Sequence, residues 1–215
     1  MTASKKAYVA ITVILFILLA DQVIKIWVKA TMLSGEEIRI TNWFRIRFIE
    51  NEGMAMGINV FSKLFLSVFR LVASVAIAYY IYMLIRDNFK LSYIILVSMI
   101  FAGAMGNIID SIFYGVIFSE STQFNVAVLF PPEGGYSSWL YGNVVDMFYF
   151  PFFKFEWPGW MPWIGGSEFE FFRYIFNFAD ASISVGIVTL LLFFGKTLSL
   201  SFEKQDVEEG VEQGI

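Results

Sequence analysis

Four long apolar segments, separated by polar stretches, dominate the pattern of this chain. A helix that crosses a membrane needs ~20 mostly apolar residues. The segments meet that length and predict four transmembrane helices, at about residues 7–28, 64–85, 91–113 and 176–194. A short polar turn from Arg86 to Lys90 joins the second to the third, so these two helices are predicted to be antiparallel neighbours.

The first segment also has features of a signal peptide, because Lys5 and Lys6 precede an apolar run. However, the run continues past Asp21 to Val28, and no small-residue cleavage site precedes a polar start. We therefore expect an uncleaved first helix.

Basic residues close to the segment ends predict the orientation, because cytoplasmic flanks carry more Lys and Arg. Four helices place both termini on one side, which we expect to be cytoplasmic. The basic residues on that side are Lys5, Lys6, Arg86, Lys90, Lys196 and Lys204. The opposite side has Arg39, Arg45, Arg47 and Lys63 in one loop.

The segments between the helices predict a small sheet and long loops. Residues 38–49 alternate, with Phe44, Ile46 and Phe48 facing one way, which is typical of strands. A further short strand is expected at Val126–Phe130 within the loop 116–143, and the aromatic segment 148–178 is expected along the membrane interface.

The expected fold class is an all-α membrane protein with four transmembrane helices, a small extracytoplasmic β-sheet and long outer loops. Residues 1–200 are expected to form a single membrane-embedded domain. Residues 201–215 are expected to form an acidic, disordered cytoplasmic tail.

Composition narrows the chemistry that is available. The 215 residues are 58% hydrophobic and 16% charged, against ~25% charged in a soluble domain. The chain has no histidine and no cysteine, which excludes disulfides, thiol catalysis and the common zinc sites. We expect no metal, no cofactor and no nucleic-acid partner. Carboxylates, hydroxyls, amides and lysines remain for chemistry.

Four of the six aspartates lie inside or against apolar segments, at Asp21, Asp110, Asp146 and Asp180. An ionised carboxylate is costly in hydrocarbon, so such residues indicate a functional site. With the predicted orientation, all four lie near the outer membrane boundary, with Asp146 in the loop before the fourth helix. The pattern therefore predicts one shared site.

Each polar grouping also has a purely structural interpretation. Asp21 and Lys25 are four residues apart on a helix, and an ion pair is the favoured role. Asn107 lies three residues before Asp110, as Asn177 does before Asp180, and such pairs also serve as polar contacts between membrane helices. The small residues Ala102, Gly103 and Gly106 indicate close helix packing.

Asp146 and Asp180 are the pair that we interpret as catalytic. Two carboxylates in a low-dielectric site share one proton, which provides a general base and a general acid. Such a pair hydrolyses amides without metal or histidine. The alternatives are a transporter or proton relay, a structural assembly protein, and a Ser–Lys hydrolase that uses Lys25.

Five segments resemble, in order, the motifs of the lipoprotein signal peptidase (signal peptidase II) family, the membrane aspartic peptidases of bacteria. They read Asp-Gln-Val-Ile-Lys at 21–25, Asn-Glu-Gly-Met-Ala-Met-Gly at 51–57, Gly-Asn-Ile-Ile-Asp at 106–110, Val-Val-Asp-Met at 144–147 and Phe-Asn-Phe-Ala-Asp at 176–180.

The resemblance implies an enzyme of the bacterial inner membrane that cleaves diacylglyceryl-modified prolipoproteins before the lipidated cysteine, at the outer face. It implies a catalytic dyad of Asp146 and Asp180. It also implies a lipidated prolipoprotein substrate, contact with membrane lipids, inhibition by globomycin-type lipopeptides, and a monomer. The residues it marks as binding substrate or supporting the dyad are Asn51, Gly53, Asn107, Asp110, Asn177, Asp21 and Lys25.

The chain departs from the family pattern at several positions. Ser111 stands where the family usually has an arginine that contacts the substrate peptide, and Arg173 or Lys154 are candidates to replace it. Met54, Met56 and Met147 change the shape of the pocket. The spacings around Asp146 are longer than usual, so loops 116–143 and 151–170 are expected to act as a lid or a partner surface.

Overall fold

The structure, a computed structural model, describes residues 1–52 and 63–212. Within them, four helical segments are long and apolar enough to cross a membrane. This confirms the four predicted helices, and each segment exceeds the ~20 residues that a bilayer requires. The segments are Ala3–Thr31, Lys63–Arg86, Leu91–Ile117 and Phe178–Ser201.

The first two segments are the helices α1 (Ala3–Thr31) and α2 (Lys63–Arg86). The third consists of α3 (Leu91–Ile109), a π-helical turn at Asp110–Tyr114 and the short α4 (Gly115–Ile117).

The last helix, α5, is longer than predicted and runs from Phe178 to Glu212. It therefore continues through most of the segment expected to be a disordered tail. Glu203, Lys204 and Gln205 are straight-chain residues with high helix propensity, which explains the continuation. At 1.5 Å per residue, the 35 residues extend for ~52 Å, so only part of α5 fits in a hydrocarbon core of ~30 Å.

The described chain packs as two compact units, each with its own hydrophobic core. The first unit consists of Met1–Ala20, Val68–Ile108 and Ala179–Ile215, and its described residues contain helices but no strand. The second consists of Asp21–Ser67 and Ile109–Phe178, and its described residues include all six strands found in the described chain.

The first unit is held together by close helix contacts. A Cβ atom at Gly103 of α3 would lie 2.4 Å from the carbonyl oxygen of Ala179 in α5, so only glycine permits this approach. This confirms the predicted packing role of Gly103. Near the start of α1, the Lys6 ammonium donates to the side chain of Asn88 at 2.7 Å and to the Asn88 carbonyl at 3.1 Å. Asn88 lies two residues after the end of α2. The cation compensates the negative end of the α2 dipole.

The second unit contains a four-stranded antiparallel sheet in the order β1-β2-β3-β6 and a two-stranded sheet, β4-β5. Strands are found within residues 38–49, as predicted, and Phe48 is fully buried. The strands are β1 (Glu37–Arg39), β2 (Arg45–Asn51), β3 (Val144–Tyr149), β4 (Phe153–Glu156), β5 (Glu168–Phe171) and β6 (Ile175–Phe176).

Two loop predictions are wrong. Residues 126–130 form no strand and make only an isolated bridge from Leu129 to Phe118. The backbone N–H of Val128 donates to the Ser119 hydroxyl oxygen and is therefore not available to a partner strand. Asp146 lies in β3 rather than in a loop. β-branched Val144 and Val145 favour that strand, but the nearby prolines and glycines indicate a loop in the sequence.

Candidate functional site

Asp21, Lys25 and Asp110 form a buried ionic cluster in the second unit. The Lys25 ammonium lies 2.8 Å from the Asp21 carboxylate and 2.9 Å from that of Asp110, and all three side chains are fully buried. The Gln22 amide donates to Asp110 at 2.9 Å, and the backbone N–H of Val145 donates to it at 3.2 Å. The predicted contact between Asp21 and Lys25 is thus present, and the cluster also holds β3.

Asp146 lies next to Val145, at the centre of the sheet. Its side chain is nearly fully buried and accepts hydrogen bonds from two neutral amides. Asn177, directly after β6, donates to one carboxylate oxygen at 2.7 Å, and Asn51, at the end of β2, donates to the other at 3.3 Å. Pairing of Ile49 with Asp146 puts Asn51 diagonally across on the same face. The strands on either side of β3 therefore position this carboxylate.

Asp180 lies in the first turn of α5, in the first unit. The Asn107 amide of α3 donates to its carboxylate at 2.8 Å. Gly103 lies one helical turn before Asn107, and Ala179, which it approaches, lies one residue before Asp180. The close approach of α3 and α5 therefore brings Asn107 within hydrogen-bonding distance of Asp180. The dipole of α5 also favours an acidic group at this end.

A cavity of about 600 Å³ opens beside Asp146 in the second unit. That volume is within the ~300–1,000 Å³ typical of ligand pockets. Arg173 also lines it, and this residue is exposed and forms no ion pair with the residues that the structure describes. The cavity is lined by Ile49, Glu50, Asn51, Glu52, Asp146, Arg173, Tyr174 and Ile175.

The sequence analysis missed a second buried cation in the second unit, Lys29. Its ammonium pairs with Glu50 on the cavity wall, donates to Ser121 at 2.9 Å and lies 4.9 Å from the ring centroid of Tyr136. Burial raises the pKa of the Tyr136 phenol, so its oxygen stays protonated while it accepts the N–H of Asn143 at 2.6 Å. The spacing of Asp21, Lys25 and Lys29, four residues apart, was the signal that could have identified Lys29.

The predicted site residues are therefore found in three groups of contacts. Asp21, Lys25 and Asp110 form the first, Asn51 and Asn177 hold Asp146 in the second, and Asn107 holds Asp180 in the third. Gly53, Met54 and Met56 lie outside the described residues.

The two candidate replacements for the family arginine differ in their surroundings. Ser111 itself is buried, and its carbonyl accepts the N–H of Gly142 at 2.9 Å. Lys154 lies 3.1 Å from Glu170, whereas Arg173 faces the cavity that contains Asp146.

Known proteins resemble this chain over nearly its whole length. A lipoprotein signal peptidase of Porphyromonas gingivalis is 49% identical over 207 residues, covering 95% of this chain and 91% of that protein. A lipoprotein signal peptidase of Amoebophilus asiaticus is 32% identical over 213 residues, covering 96% and 86%. One from Staphylococcus aureus is 25% identical over 205 residues, covering 94% and 98%.

The fold is also known. A solved bacterial membrane enzyme, determined by the in meso method at 2.3 Å resolution, matches with a TM-score of 0.61 at 23% identity, covering 89% of this chain and 90% of that one. The family model described as signal peptidase (SPase) II matches residues 13–195. This chain belongs to the signal peptidase II family of proteases.

Proposed function

We propose that this protein removes the signal peptide from diacylglyceryl-modified prolipoproteins, cleaving before the lipidated cysteine, with Asp146 and Asp180 as an aspartic catalytic pair. The observation that carries the proposal is the amide that donates to each carboxylate. Asn177 donates to Asp146 at 2.7 Å, and Asn107 donates to Asp180 at 2.8 Å. The family membership supports the substrate class.

An amide donor suits a carboxylate that must gain and lose a proton, because it fixes the orientation of the acid and is itself neutral. In the reaction, one aspartate takes a proton from water while the water oxygen bonds to the scissile carbonyl carbon. The other aspartate donates its proton to the amide nitrogen as the C–N bond breaks, which releases the amine.

The cavity beside Asp146 is the proposed binding site for the peptide part of the substrate. Arg173 is the proposed cation that holds peptide carbonyls there, because it lines the cavity and is exposed. Arg173 would thus contact the substrate peptide in place of the family arginine, whose position Ser111 occupies. Lys154 is less suited, because its ammonium lies 3.1 Å from the Glu170 carboxylate, which also accepts the hydroxyl of Tyr149.

The proposed setting is the bacterial inner membrane, with both termini cytoplasmic, the catalytic pair and the four-stranded sheet at the outer face, and the enzyme acting as a monomer. The described chain has four helices able to cross a bilayer, which supports a multi-pass protein. Lipid attached to the substrate would reach the site from the bilayer. A globomycin-type lipopeptide is expected to compete with the substrate.

The test is cleavage of a lipidated prolipoprotein by the purified protein, followed by a gel shift for the released signal peptide. General acid and base catalysis each contribute ~10²–10⁴-fold, so Asp146→Asn or Asp180→Asn should reduce the rate at least ~10³-fold. Asp87→Asn, which changes an aspartate in the α2–α3 turn beside Arg86, is the matched control and should cleave normally.

Two results separate the parts of the proposal. A substrate whose lipidated cysteine is replaced by serine should not be cut, and efficient cutting of it would remove the proposed substrate class. Full activity in either aspartate variant, with the wild-type unfolding temperature, would remove the aspartic mechanism.

A further inference from the structure

The β4–β5 hairpin has one aromatic face and one charged face. In its register, Phe153 pairs with Phe171 and Phe155 pairs with Phe169, so these four rings share a face. The alternate pairs lie on the other face and carry charge. They are Lys154 with Glu170 and Glu156 with Glu168.

The aromatic face is packed within itself but open on its outer side. Phe153 stacks on Phe171 with ring centroids 4.9 Å apart, and Phe155 packs on Phe169 at 5.0 Å. Even so, Phe153 is 51% exposed and Phe171 is 45% exposed. In the connection between the strands, Trp160 is 80% exposed and Trp163 is fully exposed. Exposed apolar patches of this kind mark an interaction surface.

The charged face is the one attached to the rest of the second unit. Tyr149, buried in β3, donates its hydroxyl to Glu170, and Lys154 lies 3.1 Å from the same carboxylate. Although burial alone would raise the pKa of Glu170, these two hydrogen bonds lower it, so Glu170 is an anion at neutral pH. These contacts attach the charged face to β3, whereas Phe153 and Phe171 on the opposite face remain about half exposed.

A chain of aromatic contacts connects this face to the start of a membrane helix. The ring of Phe171 lies 6.2 Å from that of Phe152, which lies 6.0 Å from Phe150. Phe150 in turn stacks on Phe176 at 5.6 Å. Phe176 is two residues before Phe178, where the last membrane-spanning segment begins. The aromatic surface is therefore continuous with a segment that enters the bilayer.

We propose that the aromatic face of the β4–β5 hairpin is a lipid-contacting surface that lies at the headgroup–acyl boundary of the bilayer crossed by the four helices. Tryptophan favours that depth. A two-stranded hairpin is marginal in water by itself, so an apolar partner on its open face would stabilise it. This inference does not depend on the catalytic proposal, because no hairpin residue carries the reaction.

The experiment uses the absence of cysteine in the chain, so that one introduced cysteine takes a spin label at one place. Phe155→Cys and Trp163→Cys report the aromatic face and the connection. Glu156→Cys and Glu168→Cys are matched controls on the opposite face of the same strands. Each labelled protein is placed in phosphatidylcholine nanodiscs without substrate, and its accessibility to oxygen and to a water-soluble nickel chelate is measured.

Labels at 155 and 163 should have an oxygen-to-nickel accessibility ratio several-fold above labels at 156 and 168. Equal ratios on both faces would overturn the proposal. Labels at 155 and 163 shielded from both reagents would also overturn it, because the face would then be covered by protein. If Phe155→Cys does not fold, as judged by circular dichroism, the fully exposed position 163 decides the question.

Discussion

The second unit holds carboxylates in two different ways. Asp21 and Asp110 share the ammonium of Lys25 at 2.8 and 2.9 Å and are fully buried. Asp146, nearly as buried, accepts hydrogen bonds from the amides of Asn51 and Asn177. Both arrangements lie along β3, since the N–H of Val145 donates to Asp110.

The contrast suggests how one protein separates stability from chemistry. A buried lysine between two carboxylates joins three side chains in one contact, and removing it is costly, so this cluster serves structure. Amide donors orient a carboxylate and are themselves neutral, which suits the proposed proton transfer at Asp146. The two arrangements thus differ in their donors, an ammonium in the cluster and amides at Asp146.

The largest expected effect comes from breaking the ionic cluster. Lys25→Met leaves two buried carboxylates without their cation, and loss of one partner of a buried ion pair costs ~3–5 kcal/mol. The free energy of unfolding in detergent should fall by about that amount, with Lys196→Met, at an exposed cation, as the unaffected control. A Lys25→Met protein as stable as wild type would show that the cluster is not structural.

A smaller effect is expected from loosening the amide clamp. Asn177→Ala removes a hydrogen bond to a charged group, worth ~1.5–3 kcal/mol. If Asn177 positions Asp146 for catalysis, kcat should fall about 10–100-fold while KM stays unchanged, since each ~1.4 kcal/mol is a factor of ten.

The control for this variant is Asn125→Ala, in an exposed loop, which should behave as wild type. A loss of stability equal to the loss of rate, with kcat restored at low temperature, would instead assign Asn177 a purely structural role.

The smallest effect should come from the cavity cation. Arg173→Ala removes a group that the proposed mechanism uses only to hold the peptide, so KM should rise about tenfold, worth ~1.4 kcal/mol, with kcat unchanged. Lys154→Ala, a nearby cation that contacts Glu170 instead, should leave both constants as they are. The opposite ranking of these two variants would place the peptide on the hairpin side.

Local patterns in the sequence predict much of this fold. The four apolar segments require only composition and length, the spacing of Asp21 and Lys25 gives their contact, and alternation identifies β2. These features depend on neighbours within a few residues, so the sequence displays them directly.

The remaining features depend on pairing between distant residues. Asp110 joins Lys25 from another helix, and Asp146 receives amides from two other segments, neither of which can be inferred from spacing along the chain. The β4–β5 hairpin was missed because Pro158, Pro162 and several glycines lie between its strands and indicate a loop. Its alternating faces become clear only once Phe153 is known to pair with Phe171.

The π-helical turn at Asp110–Tyr114 has a consequence for how this chain can change length. Such a turn accommodates one extra residue in a helix. Deleting one residue there would restore a regular helix and keep the residues after the turn on the same face. Deleting a residue from the regular part of the segment would instead rotate all later residues by ~100° and move Gly115 from its place, where a Cβ would lie only 3.0 Å from the Ser138 carbonyl oxygen. A one-residue deletion should therefore be tolerated in this turn more readily than in α3.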